Sequence, residues 1–565
     1  MNPVGQPLRL KVNYKWLGVF AVIGLVLFVL FQILPSTASD TLEQQNTKVI
    51  SKEQALSATE DFMQNTLHLQ VDKSKDAVIT YQSNSELYGY LSREKLLNEY
   101  NKKFEKAIPY DVFRVRVAER ENEGYANIDV HMNSGKVVAF SVAPRYSNYA
   151  AAMAEPNKAK RETKLKIVEG DLSLEKKEEL AAPWLQQMGY DPGKLELTTK
   201  ENDIGLVYTD PGKAIGRSSL QIKFAFEEGT VHSFEQAFSV PQSHAAYVEK
   251  ETSKAKWLTI LGYGLLTFVL GVLAIVYSAL TRAHTSFKRG IFLSVFYFAV
   301  ATFSTYNMLP VFQAEGVSSF GLAFMLGFQT FFNLVMAALL YFSLVGGDGL
   351  WRKAGLNAWA RAKEPGYGPY VLHSMFTGYL WAFILMGVQS VIYIVLDKTI
   401  HSWSTTDATQ SPYNMLYPWL LPIMAWMAGI SEEAVYRLFG IPMLKKLLRS
   451  TFAACLITTL IWALGHTLYP IYPVITRPIE LTIIGLLFSF IFLKHGYIAA
   501  MFSHVVFDSV LMSFSLFALG DVPDIIAGIV TIIMPAVVAY VVYLYNRNKK
   551  KKEPFVMTPR PEGLQ

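Results

Sequence analysis

The stretch WLGVFAVIGLVLFVLFQIL, residues 16–34, decides the fold: 19 residues with one Gln and no charge. A helix needs about 20 apolar residues to cross a hydrocarbon core. Arg9, Lys11 and Lys15 precede the stretch, and Ser36-Thr37-Ala38 loosely resembles a signal-peptide cleavage site. The apolar run is longer than a signal peptide's, so it reads as an uncleaved membrane anchor. The whole chain agrees. It has 565 residues, 51% hydrophobic and 17% charged, against about 25% charge in soluble domains. Such a composition excludes a disordered, collagen-like or disulfide-stapled protein. A single cysteine, Cys455, excludes an intramolecular disulfide and a Cys-based metal site.

After the anchor, residues 35–256 are polar and contain no spanning segment. They read as an α+β domain built from two similar repeats. The first opens on Ser51-Lys52-Glu53-Gln54, a capping box, and continues through FRVRV (113–117), YANIDVHM (125–132), the turn Asn133-Ser134-Gly135 and KVVAFSV (136–142). The second opens on a helix from Ser173 to about Met188. It closes with LQIKFAF (220–226), a Glu227-Glu228-Gly229 turn and a strand to Val240. A helix followed by a meander, twice, resembles PepSY-type domains.

From 257 the chain is mostly apolar, with spans expected near 257–280, 290–311, 319–345, 371–396, 414–439, 451–468, 479–493, 496–518 and 525–545. With the anchor these make about ten transmembrane helices. Placing the N-terminus inside puts Arg282, Lys288, Arg289, Arg352, Lys353, Arg361, Lys363, Lys445, Lys446, Arg449, Lys494, Arg547 and Lys549–Lys552 on inside segments. Only Lys398 and Arg477 fall in outside loops of this part. That positive-inside bias predicts a multi-pass protein of the cell membrane with both termini cytoplasmic and 35–256 extracytoplasmic. The lysine-rich tail follows from the same topology; it calls for contact with the lipid bilayer, not for nucleic acid.

Ionisable residues at membrane depth are costly and are usually functional or paired. Three clusters stand out. In Ser431-Glu432-Glu433-Ala434-Val435-Tyr436-Arg437, Glu433 and Arg437 share a helix face in ion-pair order, which leaves Glu432 without an obvious cation and suited to general-base work. Trp462-Ala463-Leu464-Gly465-His466 supplies a second group. His504-Val505-Val506-Phe507-Asp508 puts an imidazole and a carboxylate one turn apart. Counted from the inside charges, Glu432, His466 and His504 lie at about 20, 25 and 15 Å, so one site opening toward the cytoplasm is geometrically possible.

In this order, Glu-Glu-x-x-x-Arg (432–437), aromatic-x-x-x-His (462–466) and His-x-x-x-Asp (504–508) resemble the CPBP (Abi, or CAAX protease and bacteriocin-processing) intramembrane peptidases. Rce1-type CAAX endopeptidases belong to the same family. The resemblance covers roughly 412–515. It implies that Glu432 activates water with His466 as partner, that His504 and Asp508 stabilise the oxyanion or hold the water, and that Glu433 and Arg437 support them. Trp462 stands where the family often has Phe, and Asp508 where many members have Asn; an ionised Asp would repel an oxyanion. Glu432, His466 and His504 could offer zinc a two-His, one-carboxylate site, and a metal-free Glu/His mechanism fits the same residues.

The chain therefore divides into the N-terminus and first helix (1–34), the extracytoplasmic domain (35–256), helices two to five (257–411), a catalytic core of helices six to nine (412–518), and a last helix with a basic tail (519–565). The function expected is an intramembrane endopeptidase acting on a membrane-anchored peptide or protein. A non-catalytic immunity or scaffold protein and a proton-coupled transporter are the alternatives. Other protease signatures are missing. There is no His-Glu-x-x-His. Gly346-Gly347-Asp348-Gly349 reads as a loop turn, Trp351–Trp359 as an interfacial segment, and His373 and His495 as interfacial helix-end residues.

Overall fold

The computed structural model describes residues 1–34, 49–69, 77–118, 125–143, 152, 155–170, 172–201, 203–227 and 229–550. The Ser36-Thr37-Ala38 site, Glu228 of the expected turn and tail residues Lys551 and Lys552 lie outside them. A short pair, β1 (Asn2–Pro3) with β10 (Leu356–Asn357), ties the N-terminus to the membrane part. The first helix, α1 (Tyr14–Phe28), continues as a π-turn through Ile33.

The polar domain follows. Ser51 caps α2 (Lys52–Asn65) with both bonds of the capping box. Next come β2 (Val78–Ser83), α3 (Ser85–Arg93), α4 (Leu97–Lys103), β3 (Asp111–Ala118), β4 (Tyr125–His131) and β5 (Val137–Ala143). Then α5 (Lys158–Glu169) and α6 (Leu174–Gln187) precede β6 (Glu196–Leu197), β7 (Leu206–Ile215), β8 (Ser218–Glu227) and β9 (Thr230–Phe238). The strands form one eight-stranded antiparallel sheet in the order β2-β3-β4-β5-β9-β8-β7-β6. Two four-stranded meanders thus join where β5 meets β9, at Phe140–Phe234. Alternate residues of β4 and β8 are buried, which is the period-2 pattern of a sheet covered on one face. Ala55 and Met63 of α2 and Ala181 and Leu185 of α6 cover Phe113, Ile128, Phe140, Phe224 and Phe234.

The membrane part is helical. A continuous helix, Gln242–Leu280, contains α7 (Gln242–Trp257), a π-segment and α8 (Leu266–Leu280). It is followed by α9 (Ile291–Asn307), α10 (Leu309–Ala314), α11 (Ser319–Lys353) and α12 (Tyr367–Ile400). Past β11 (Trp403–Ser404) come α13 (Met424–Glu432), a π-segment (Glu433–Gly440), α14 (Ile441–Leu448) and α15 (Thr451–Leu464). Past β12 (Ile471–Tyr472) come α16 (Thr476–His495), α17 (Tyr497–Leu519) and α18 (Val522–Lys550).

Among the described residues seven helices are long and apolar enough to cross a membrane, and Ile291–Asn307 and Thr451–Leu464 are shorter apolar helices. The element 424–448 contains a π-segment and carries Glu432, Glu433 and Arg437. The chain is therefore a multi-pass, mostly helical membrane protein with a sheet-rich region. Helices α1 and α12 approach closely at Gly24 and Gly387, where a Cβ on either would meet the other's backbone within 3 Å; small residues at helix crossings are the usual device in membranes.

Three local expectations change. Gly346–Gly349 is not a turn but part of α11, with Asp348 1% exposed. The glycines let α11 press against its neighbours: a Cβ on Gly347 would stand 2.8 Å from the Leu438 backbone. Asp348 gathers Arg289, Arg352 and Arg361 at 2.9–3.1 Å. Trp351 is buried, not interfacial, and donates its indole N–H to the Leu438 carbonyl at 2.9 Å. His495 is likewise buried.

The sheet domain is bonded to the membrane part through two loops. Asn414 receives the Tyr81 N–H at 2.6 Å and donates to the Tyr81 carbonyl at 2.9 Å, so its side chain closes the free edge of β2. Trp403 of β11 stacks on Tyr472 of β12 with 4.6 Å between ring centroids, and lies 5.3 Å from His244 of α7. The loop carrying Tyr472 also contacts the helix below the domain: the Val474 N–H donates to Glu251 at 2.9 Å, and the Thr467 and Thr259 hydroxyls meet at 2.8 Å.

Candidate active site

Proline shapes the helix that carries the first cluster. Pro442 has no N–H for the carbonyl four residues earlier and its ring crowds that position. That carbonyl belongs to Leu438, and Trp351 takes it up instead. The helix widens into the π-segment Glu433–Gly440, a distortion that recurs at functional sites. The widening starts at Glu433, one residue after Glu432.

Glu433 and Arg437 are both 0% exposed. Arg437 donates from one terminal nitrogen to Glu433 Oε1 at 3.0 Å and from the other to the Gly485 carbonyl at 3.3 Å. Its guanidinium lies 4.6 Å from the ring centroid of Trp462 and 5.5 Å from that of Phe488. The expected ion pair is present, and π-faces from α15 and α16 hold its cation.

Glu433 Oε1 also meets His504 Nδ1 at 2.9 Å. The His504 ring stacks on Phe488, centroids 4.5 Å apart and planes 20° apart. Orientation of His504 is therefore fixed from one edge and one face. Its other nitrogen, Nε2, points at two carboxylates: Glu432 Oε2 at 3.7 Å and Asp508 Oδ2 at 3.5 Å. These two side chains retain 25% and 20% exposure, against 5% for His504. A buried imidazole held by a fixed carboxylate and facing accessible ones has the geometry of a positioned catalytic group.

Sequence reasoning pairs Glu432 with His466. In the structure Glu432 is engaged by Trp462, whose indole N–H donates to Glu432 Oε2, and faces His504. His466 follows the end of α15 and bonds Trp462's own carbonyl through Nδ1 at 3.0 Å. Its ring is 5.2 Å from Trp462 and stacks on Tyr469 at 5.8 Å. Trp462 thus connects His466 to Glu432. His466 stands in the loop that leads to β12, at the end of the bundle bonded to the sheet domain.

Several participants carried no signal in the sequence. Arg477, read as a loop charge, begins a buried network: it donates to Glu480 at 2.5 Å and to the Tyr393 hydroxyl at 2.7 Å, and lies over Tyr469 at 5.1 Å. Gln389 donates to the other Glu480 oxygen at 2.7 Å. Trp462 is legible as the aromatic of the second motif, but its N–H donor to Glu432 and the Phe488 face are not.

Among the described residues no three His, Cys, Asp or Glu side chains converge closely enough to hold a metal ion. Glu432, His466 and His504 do not form the two-His, one-carboxylate set that zinc requires; Trp462 bonds both Glu432 and His466.

Residues 414–510 match the family model described as Type II CAAX prenyl endopeptidase Rce1-like. No curated protein and no solved structure matches the chain. The matched segment contains Glu432, Glu433, Arg437, His466, His504 and Asp508, so the CPBP resemblance read from these residues and the family match fall on one stretch, and that stretch is Rce1-like.

Proposed function

We propose that this chain is an intramembrane endopeptidase of the CPBP type that hydrolyses a peptide bond in a membrane-associated peptide or protein. The observation that carries the reading is the convergence of Glu432 and Asp508 on Nε2 of a His504 locked from behind by Glu433 and Phe488. Water held between Glu432 and His504 loses a proton to Glu432 as its oxygen adds to the scissile carbonyl carbon. His504 Nε2 donates a hydrogen bond to the oxygen that gains charge. The proton then passes from Glu432 to the amide nitrogen as the C–N bond breaks, with His466 supporting Glu432 through Trp462. Asp508 orients His504 and the water.

The same reading keeps ten crossing elements, counting 424–448 and the two shorter apolar helices, with both termini cytoplasmic in the cell membrane. The 35–256 domain is then extracytoplasmic, and its two meanders are PepSY-like repeats. Loop charges support this orientation.

The purified full-length protein, reconstituted in vesicles with a membrane extract in ¹⁸O-labelled water, tests the chemistry. New carboxyl termini carrying one ¹⁸O, present with the wild type and missing with Glu432→Gln, are expected. New termini without the label would exclude attack by water.

A further inference from the structure

A cavity of about 1290 Å³ lies on the back of the catalytic helices. Its walls are α9 and α18, and its floor includes Ile430 of α13 and Met501 and Phe502 of α17. It runs beside α18 from Val522 to Val542, about 30 Å at 1.5 Å per residue, which is the thickness of a hydrocarbon core. Glu432, Glu433, His504 and Asp508 are not among the residues that line it, so this is a second cavity, separate from the polar cluster.

The two mouths differ in charge. Lys288, Arg289 and Trp359 line one end. Lys288 is exposed, and no ion pair engages it among the described residues. Arg289 lies over Trp359 at 3.9 Å and belongs to a cluster of Arg289, Arg352 and Arg361 against Asp348 and Glu364, which holds one more cation than anion. The other end is lined by Trp419, Val522 and Pro523, beside Asp521 and Asp524. Flexible acyl chains fit an apolar trough of this length, and basic pockets between membrane helices attract anionic headgroups.

We infer that this groove is a binding site for an anionic phospholipid, with its headgroup at Lys288 and Arg289 and its acyl chains along the α9–α18 trough. The bound lipid braces the rear of α13 and α17. The inference does not rest on the peptidase reading.

The full-length protein, reconstituted in bilayers of phosphatidylglycerol and phosphatidylcholine and released briefly into detergent, is examined by native mass spectrometry for retained lipid. The wild type should retain phosphatidylglycerol above its bulk share. Lys288→Gln should lower that preference about fivefold, the weight of one basic residue at a membrane surface. Ala527→Trp or Val538→Trp, each filling the trough, should remove both lipids; two independent fillings guard against one that misfolds. Equal retention of the two lipids by the wild type overturns the inference. So does a preference that survives both Lys288→Gln and a folded trough variant, or a co-purifying peptide in place of lipid.

Discussion

The Trp462 indole N–H donates to Glu432 Oε2 across the interface between α15 and α13. In the proposed chemistry this bond fixes the base while its other lone pairs face the water. Trp462→Phe keeps an aromatic ring and removes the donor. A hydrogen bond to a charged group contributes about 1.5–3 kcal/mol, so turnover should fall about 10- to 100-fold with the protein still folded. Cleavage kinetics with a fixed substrate check this; an unchanged kcat would remove Trp462 from the site.

Glu433 and Arg437 form a fully buried pair. Removing one partner leaves a buried charge and typically costs about 3–5 kcal/mol. Glu433→Gln alone and Arg437→Met alone should each lower the unfolding midpoint in detergent sharply, whereas the double variant should recover part of the loss. Additive losses in a double-mutant cycle would show that the two side chains are not coupled.

Gly347 lets α11 reach the π-segment. Gly347→Ala would put a methyl group 2.8 Å from Leu438 backbone atoms, and overpacking of this kind costs about 1–3 kcal/mol. The same strain should displace the helix bearing Glu433. A large drop in activity with a modest drop in thermal stability is expected; wild-type activity would mean that this contact does not position the site.

His244 of α7 is 2% exposed and neither ring nitrogen has a hydrogen-bond partner. It lies between Tyr90 of α3 and Trp403 of β11, at the joint with the sheet domain. Burial holds its pKa below the ordinary value and the Arg93 cation adds to this, while Glu94 acts in the opposite direction. Opening the joint therefore takes up a proton. Its stability is complete above the ordinary histidine value of about 6.5 and is lost as pH falls through that value toward the depressed one. The opening equilibrium of 85–93, taken from hydrogen exchange after correction for the intrinsic pH dependence of amide exchange, should rise as pH falls from about 7.5 to 5.5 in the wild type and not in His244→Phe. The same rise in both proteins would assign the effect to another group.

Because His466 joins the site through Trp462, a chelator should leave cleavage unchanged. Activity lost to a chelator and restored by zinc would show that the ligands rearrange around a metal.

The sequence reading recovers most of the architecture for physical reasons that act locally. Strand alternation marks β3, β4, β5 and β8, a capping box marks α2, and charges interrupt the apolar runs. Glu432, His466, His504 and Asp508 stand out because ionisable groups are rare in such runs. What stays hidden depends on tertiary contact. Gly346–Gly349 has turn-forming composition, yet close packing against Leu438 and three arginines keep it helical. The π-segment follows from Pro442 only once Trp351 is seen to take the freed carbonyl. Trp462 reads as the aromatic of its motif, and its role as a donor shows only once its N–H is placed against Glu432; Arg477 looks like a loop charge until Glu480 and Gln389 surround it.

The central claim, proteolysis at Glu432, is tested most directly by comparing protein termini in membranes of cells that express the wild type or Glu432→Gln at matched levels. New termini confined to the wild type, in membrane-associated proteins, are predicted, with Trp462→Phe giving the same termini in smaller amounts. Identical termini from wild type and Glu432→Gln, both folded and inserted, would contradict the account.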